Sequence, residues 1–250
     1  MRVTVVGCSG SVPGPGSAAS CYLVEADGFR VLLDLGNGAL GSLQRYCGFG
    51  DVDAVLISHL HPDHCMDLLP LYVALTYDPA GDYPRIPVHA PAGAGEHLAG
   101  AYGRADAPGL TGSFDFVHWT PGPHAIGPLT VTVAQMAHPV PTFGMRLEHG
   151  GHVVAYSGDT GPTEALVDLA RDADLALFES SFEEGRDDKA PRDLHLTARE
   201  AGEHAERAGV RHLVLTHLPP WNNPSTSLAA ARAVFTGPLD LASPGSAYEL

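Results

Sequence analysis

This sequence reads as strands and helices, the ingredients of an α/β fold, in one domain over residues 1–250, and three observations carry that reading. Short apolar runs that end in polar loops recur along the chain and alternate with stretches of helical length. Its 250 residues, 44% of them hydrophobic, suffice to bury one large core. No apolar run is long enough to cross a bilayer, and the start Met1-Arg2-Val3-Thr4-Val5-Val6-Gly7 lacks the basic and apolar regions of a leader, so it reads as a first strand.

Taken in order, residues 2–6 form that strand and residues 7–17 a glycine-rich loop. The loop lacks the lysine and helix start of a P-loop, so its backbone amides and Ser9 are only a candidate phosphate contact. Residues 21–25 and 29–33 read as strands joined at the hairpin signal Ala26-Asp27-Gly28. Asp34 ends the second of them, placed to hold a ligand imidazole or the turn itself. Next, the apolar run 53–58 delivers His59-Leu60-His61-Pro62-Asp63-His64. A strand ending in a loop throws alternate side chains to one side, so His59 and His61 can share one metal ion. The turn after Pro62 aims Asp63 and His64 at a second.

Residues 66–77 read as a mostly buried, leucine-rich helix, followed by a turn-rich connection in which Tyr77 and Tyr83 are candidate pocket walls. A strand over 86–90, a weak helix over 93–103 and an alternating strand over 114–119 come next. His89, His97, His118 and His124 have no partners at metal spacing and read as structural.

Two metal ions need further ligands, and a hydrolytic site must leave positions open for water and substrate. His138, Asp159 and His217 are the candidates: each follows an apolar run and precedes a Gly, Pro or helix-start signal, where strand-end loops build rigid sites. A simple hairpin over 142–156 separates the first two. Helix 163–170 and strand 174–178 come after it, ending at the carboxylate Glu179. His195 lies just before helix 197–208, which opens on the capping-box pair Thr197 and Glu200; that dipole-positive end favours a bound anion. After His217 a proline-rich rim loop presents Trp221 for stacking on a base, then helix 225–235 and an edge strand 239–242 close the chain.

Charge limits the partners. With 14 basic and 29 acidic residues the net charge is −15, and no Lys/Arg-rich segment exists, so duplex or tRNA ligands are repelled at long range. A small anionic substrate still binds where two divalent ions dominate the local field. The four cysteines form no Cys-x-x-Cys pair, which predicts free buried thiols in a reducing cytoplasm; Cys65 adjoins the metal loop.

These elements, in this order, resemble the metallo-β-lactamase superfamily. The resemblance implies a four-layer αββα sandwich with the metals between the sheet edges. It further implies that His59, His61 and His138 hold one ion, that Asp63, His64 and His217 hold the other, and that Asp159 bridges them. True β-lactamases carry a cysteine where Asp159 stands. A narrower likeness, to the ribonuclease Z-like phosphodiesterase branch, rests on His195-Leu196-Thr197, on the stretch 210–217, on His138-Pro139-Val140-Pro141-Thr142-Phe143-Gly144 and on Phe178-Glu179-Ser180-Ser181-Phe182. That branch has Ser where Leu196 stands. Gly7-Cys8-Ser9-Gly10-Ser11-Val12-Pro13 and His64-Cys65-Met66-Asp67-Leu68 look closest to its bacterial cyclic-nucleotide phosphodiesterases.

The likeness implies a dinuclear hydrolase, with zinc favoured and manganese or iron also fitting the donors. Its Asp63 orients the attacking water, and its His195 touches a phosphate oxygen or protonates the leaving group. Ribonuclease Z proper carries a tRNA-gripping arm where this chain has the short hairpin. The expectation is therefore a small phosphodiester, foremost a 3′,5′-cyclic nucleotide, rather than RNA or a thioester, lactone or lactam. Neither membrane nor nucleic acid is expected as a partner, and a homodimer is left open.

Overall fold

The computed structural model describes residues 1–104 and 109–250. Seven strands come first: β1 (Arg2–Ser9), β2 (Ala18–Ala19), β3 (Cys21–Ala26), β4 (Phe29–Leu33), β5 (Ala54–Leu56), β6 (Ile86–Ala90) and β7 (Phe114–His118). Among them lie helices α1 (Ala39–Leu43), α2 (Pro62–Cys65), α3 (Leu68–Tyr77) and α4 (Ala94–Ala101). The second half holds β8 (Gly122–Ile126), β9 (Leu129–Gln135), β10 (Phe143–His149), β11 (His152–Tyr156), β12 (Leu175–Glu179), β13 (Leu213–Thr216) and β14 (Leu239–Leu241), with α5 (Glu164–Leu169), α6 (Ala198–Ala208) and α7 (Pro224–Arg232) between them. A last strand, β15 (Ala247–Glu249), returns to pair with β1.

Two sheets result, in the orders β15-β1-β3-β4-β5-β6-β7, with β2 beside β1, and β14-β13-β12-β11-β10-β9-β8. Their facing sides share one core. In β9, Leu129, Val131 and Val133 point inward, where they join Val3, Val5, Val31, Leu147 and Val154. The outer face of the first sheet is covered through Leu43, Leu68, Leu71 and Leu98, and that of the second through Leu166, Ala201, Ala205 and Ala231. This is the αββα layering that the resemblance implied.

Each sheet is antiparallel in one half and parallel in the other: β4 to β7 and β11 to β14 run parallel, linked by helices. The carboxyl ends of parallel strands are where such sheets build sites. Asp34, His59, Asp159, Glu179 and His217 all stand at or just past the ends of β4, β5, β11, β12 and β13.

Local chemistry agrees with the geometry. Asp27 and Gly28 take φ of 50° and 81° in a two-residue hairpin between the paired Ala26 and Phe29. Thr197 and Glu200 form the reciprocal capping box that starts α6. Helix α3 departs from its predicted burial: only Leu68, Leu71 and Tyr72 are buried, while Val73 and Tyr77 are exposed, because a single layer of helices covers the sheet with one face only. The short elements α1, α2, β2, β8 and β15 were not predicted; each has five residues or fewer, too few to display an apolar period. Among the described residues no helix is long and apolar enough to cross a membrane.

Candidate metal centre

The fully buried strand β5 drives Ser58 and His59 into the interior. His61 is the extended N-cap of α2 and Pro62 its first residue, so Asp63 and His64 sit together on one short helical turn. His217 takes φ of 56°, and its carbonyl would lie 2.2 Å from a Cβ at Gly10, so only glycine fits there.

The loops bring seven side chains together in two adjoining groups, His59, His61, His138 and Asp159, then Asp63, His64 and His217. In the first, His61 Nδ1 lies 2.9 Å from His59 Nε2 and 3.3 Å from His138 Nε2, with Asp159 Oδ2 at 3.7 Å from His59 Nε2. In the second, Asp63 Oδ2 is 3.6 Å from both His64 Nε2 and His217 Nε2. Asp159 Oδ1 lies 3.2 and 3.4 Å from the same two nitrogens. Asp159 therefore turns one oxygen to each group. His64 Nε2, His217 Nε2 and Asp159 Oδ1 are buried without a hydrogen-bond partner, a costly state that a cation would relieve. Imidazole and carboxylate donors at such spacing suit divalent transition metals, so these clusters could bind metal ions.

The outer ring atoms are held from behind. Asp34 sits in the left-handed region at φ 58° and accepts from Ser58 N at 2.7 Å, Ser58 Oγ at 2.8 Å and Tyr156 OH at 2.6 Å, while holding His64 Nδ1 at 2.7 Å. His59 Nδ1 meets Ser58 Oγ at 3.0 Å, His217 Nδ1 meets Ser20 Oγ at 2.8 Å, and His138 Nδ1 donates to Leu194 O at 2.8 Å. Such partners fix the tautomer and aim the other nitrogen inward. Burial pulls His59, His61 and His138 below the ordinary imidazole range, which favours the neutral, ligating form.

Beside the seven stands His195, its Nδ1 2.9 Å from Glu179 Oε1 and 3.8 Å from Asp159 Oδ2, with the Phe182 ring edge-on at 5.0 Å. Burial opposes its charge, yet Glu179, by charge and hydrogen bond, raises it to about 9. Glu179 also accepts from Thr160 N at 2.8 Å and Ser181 N at 3.1 Å, tying His195 to the Asp159 loop.

Residues 29–218 match the family model described as a beta-lactamase superfamily domain. The chain belongs to the β-lactamase superfamily. It is 32% identical over 256 residues to the probable metallo-hydrolase YhfI of Bacillus subtilis, covering 100% of both chains. The crystal structure of YhfI superposes with a TM-score of 0.86 at 29% identity, over 99% of each chain. An uncharacterized protein of Mycobacterium tuberculosis is 42% identical over 245 residues, 96% of this chain and 88% of that one. Ribonuclease Z of Haloferax volcanii is 31% identical over 308 residues, 100% of this chain and 95% of its own. The protein is thus a metallo-hydrolase of the superfamily, related to ribonuclease Z.

Other residues of this superfamily member fall outside the cluster. Ser9 is buried and its hydroxyl donates to Val12 O at 2.7 Å; Trp221 is 60% exposed on the loop after His217. Tyr77 is 62% exposed, and Tyr83 donates to Asp78 at 2.6 Å in the connection after α3. The four cysteines are free and buried. The Cys65 thiol faces His61 O at 3.4 Å and burial pushes it up to about 12, which makes it a poor nucleophile. His89 and His124 pack against Trp119, and His97 and His118 join no metal-like group among the described residues. Sequence reasoning missed Ser20, Ser58, Tyr156 and the Leu194 carbonyl. A polar Ser58 closing a buried apolar run was a usable signal; the others left none.

Proposed function

We propose that the protein is a dinuclear metal phosphodiesterase acting on a small phosphodiester, foremost a 3′,5′-cyclic nucleotide. The observation that carries this reading is the His195–Glu179 pair beside Asp159: an imidazole whose Nδ1 is held by a buried carboxylate, next to a cluster suited to two cations. Two divalent ions, zinc by preference, would be held by His59, His61 and His138 and by Asp63, His64 and His217, with Asp159 between, and would supply Lewis acidity and an activated water. Asp63, its Oδ2 equidistant from His64 and His217, would help hold the second ion and orient the attacking water. With Nδ1 held by Glu179, His195 would use its other nitrogen either to bind a non-bridging phosphate oxygen or to hand a proton to the leaving alkoxide.

A small substrate is favoured over RNA for two reasons. The net charge is −15, and β10 and β11 are joined by a tight turn at Gly150 and Gly151 with no arm to grip a long chain. Asp159 in place of a cysteine speaks against a lactam specialist. Purified protein should carry two metal ions per chain and open a cyclic nucleotide, with activity lost in His64→Ala. Metal-replete protein that leaves cyclic nucleotides and bis(p-nitrophenyl) phosphate intact would defeat the reading. Turnover of lactones, thioesters or nitrocefin that persists in His195→Ala would replace it with a carbonyl hydrolase, and cleavage of precursor tRNA with a ribonuclease Z-type endonuclease.

A further inference from the structure

Resting on that dinuclear reading, we infer that the two cation sites are unequal. The one at His59, His61 and His138 is the exchangeable one, and its hold on the ion is set by the loop of residues 183–194. In the other site, Asp63, His64 and His217 are all buried, and both imidazoles lean on interior side chains, Asp34 at 2.7 Å and Ser20 at 2.8 Å. In the first, His61 and His138 are only half-buried, and His138 leans on a main-chain carbonyl, Leu194 O, at 2.8 Å. That carbonyl belongs to a rim loop rather than to the core.

The base of the loop is closed by Phe182 N donating to Leu196 O at 3.0 Å. Its body is tied back to α6 by Glu184–Arg199 at 2.8 Å and Arg192–Glu200 at 2.6 Å, and three of those four side chains are more than a third exposed. Exposed pairs of this kind contribute little. The remaining constraint is steric. Gly161 donates its N–H to Ala137 O at 2.7 Å, and a Cβ on it would stand 2.0 Å from Arg192 O. Gly161 is thus where the segments carrying His138, Asp159 and the loop end meet with no room to spare. It acts as a positioning residue: a side chain there pushes residues 192–194 outward, takes the acceptor from His138 Nδ1 and frees the ring to turn away from the ion. Losing such a partner weakens metal binding by about 10–100-fold.

Zinc-loaded protein mixed with excess 4-(2-pyridylazo)resorcinol should release its two ions in two phases of one equivalent each. Replacing both loop ties, Arg192→Ala with Arg199→Ala, should speed the fast phase about threefold and leave the slow one alone. Ser20→Ala should do the reverse, speeding the slow phase. Gly161→Ala should lower affinity for the first ion by about 10–100-fold; should it fail to fold by circular dichroism, the arginine double variant decides. Two ions leaving in a single phase, or loop variants that speed both phases equally, overturn the inference while the dinuclear reading stands. A starting content below two ions per chain overturns both.

Discussion

Asp34 shows how much of this centre depends on single side chains set behind the ligating atoms. It is fully buried, gathers four polar contacts from Ser58, Tyr156 and His64, and accepts a left-handed backbone to do so. His195 is the complementary case, a group whose charge state is set by its neighbour. Burial opposes the charge, but Glu179 lifts it from 6.5 to about 9, so between those values His195 itself holds more proton in the folded metal-free protein than in the unfolded chain. Stability from this pair is complete below about 6.5 and is lost as pH rises through about 9. Chemical denaturation of metal-free protein at stepped pH should show that fall, and Glu179→Gln should flatten it. A fall that survives the substitution would belong to another group.

At the scale of elements, the centre depends on how closely loops approach one another. A Cβ on Gly36 would lie 1.9 Å from the carbonyl of Asp63, so the turn after β4 can pass beneath α2 only without a side chain. Gly36→Ala should cost about 1–3 kcal/mol in thermal unfolding and lower the bound metal together with it. Gly41→Ala, in α1 with nothing within 4 Å of its Cβ, should be neutral or slightly stabilising. Equal effects of the two would contradict the steric account. By contrast α6 is specified locally: Thr197 and Glu200 satisfy each other's end of the helix, and Ala198, Ala201, Ala205 and Ala208 make its buried face.

For the whole molecule, the proposed pair of ions adds positive charge at a largely buried imidazole–carboxylate cluster of an acidic chain of net charge −15. Without them, burial acts against a charged His64, but Asp159 and Asp34 hold it above its ordinary range, so an arriving cation must displace a proton. Adding zinc to metal-free protein should therefore raise the melting temperature in a saturable way, release protons, and bind more weakly as pH falls. Thermal melts at stepped zinc check the first, and calorimetry in buffers of different ionisation enthalpy and pH the other two. A melting temperature indifferent to zinc would mean that the cluster is not a metal centre.

What the sequence by itself determined is local. His59, His61, Asp63 and His64 lie within six consecutive positions after a buried strand, where backbone direction alone divides them between two sides. The hairpin at Asp27-Gly28 and the cap of α6 are legible for the same reason, since the interacting groups are a few residues apart. Strand-end position made His138, Asp159 and His217 candidates, and family likeness divided them between the two ions, since their spacing along the chain carries no geometry. Only the tertiary structure decided which oxygen of Asp159 faces which group, that Asp34 meets His64 and Tyr156, and that His138 leans on a carbonyl of residue 194. Those contacts span tens of residues and arise from two sheets packing face to face. A main-chain carbonyl, moreover, is present at every position, so no residue type marks the one that matters.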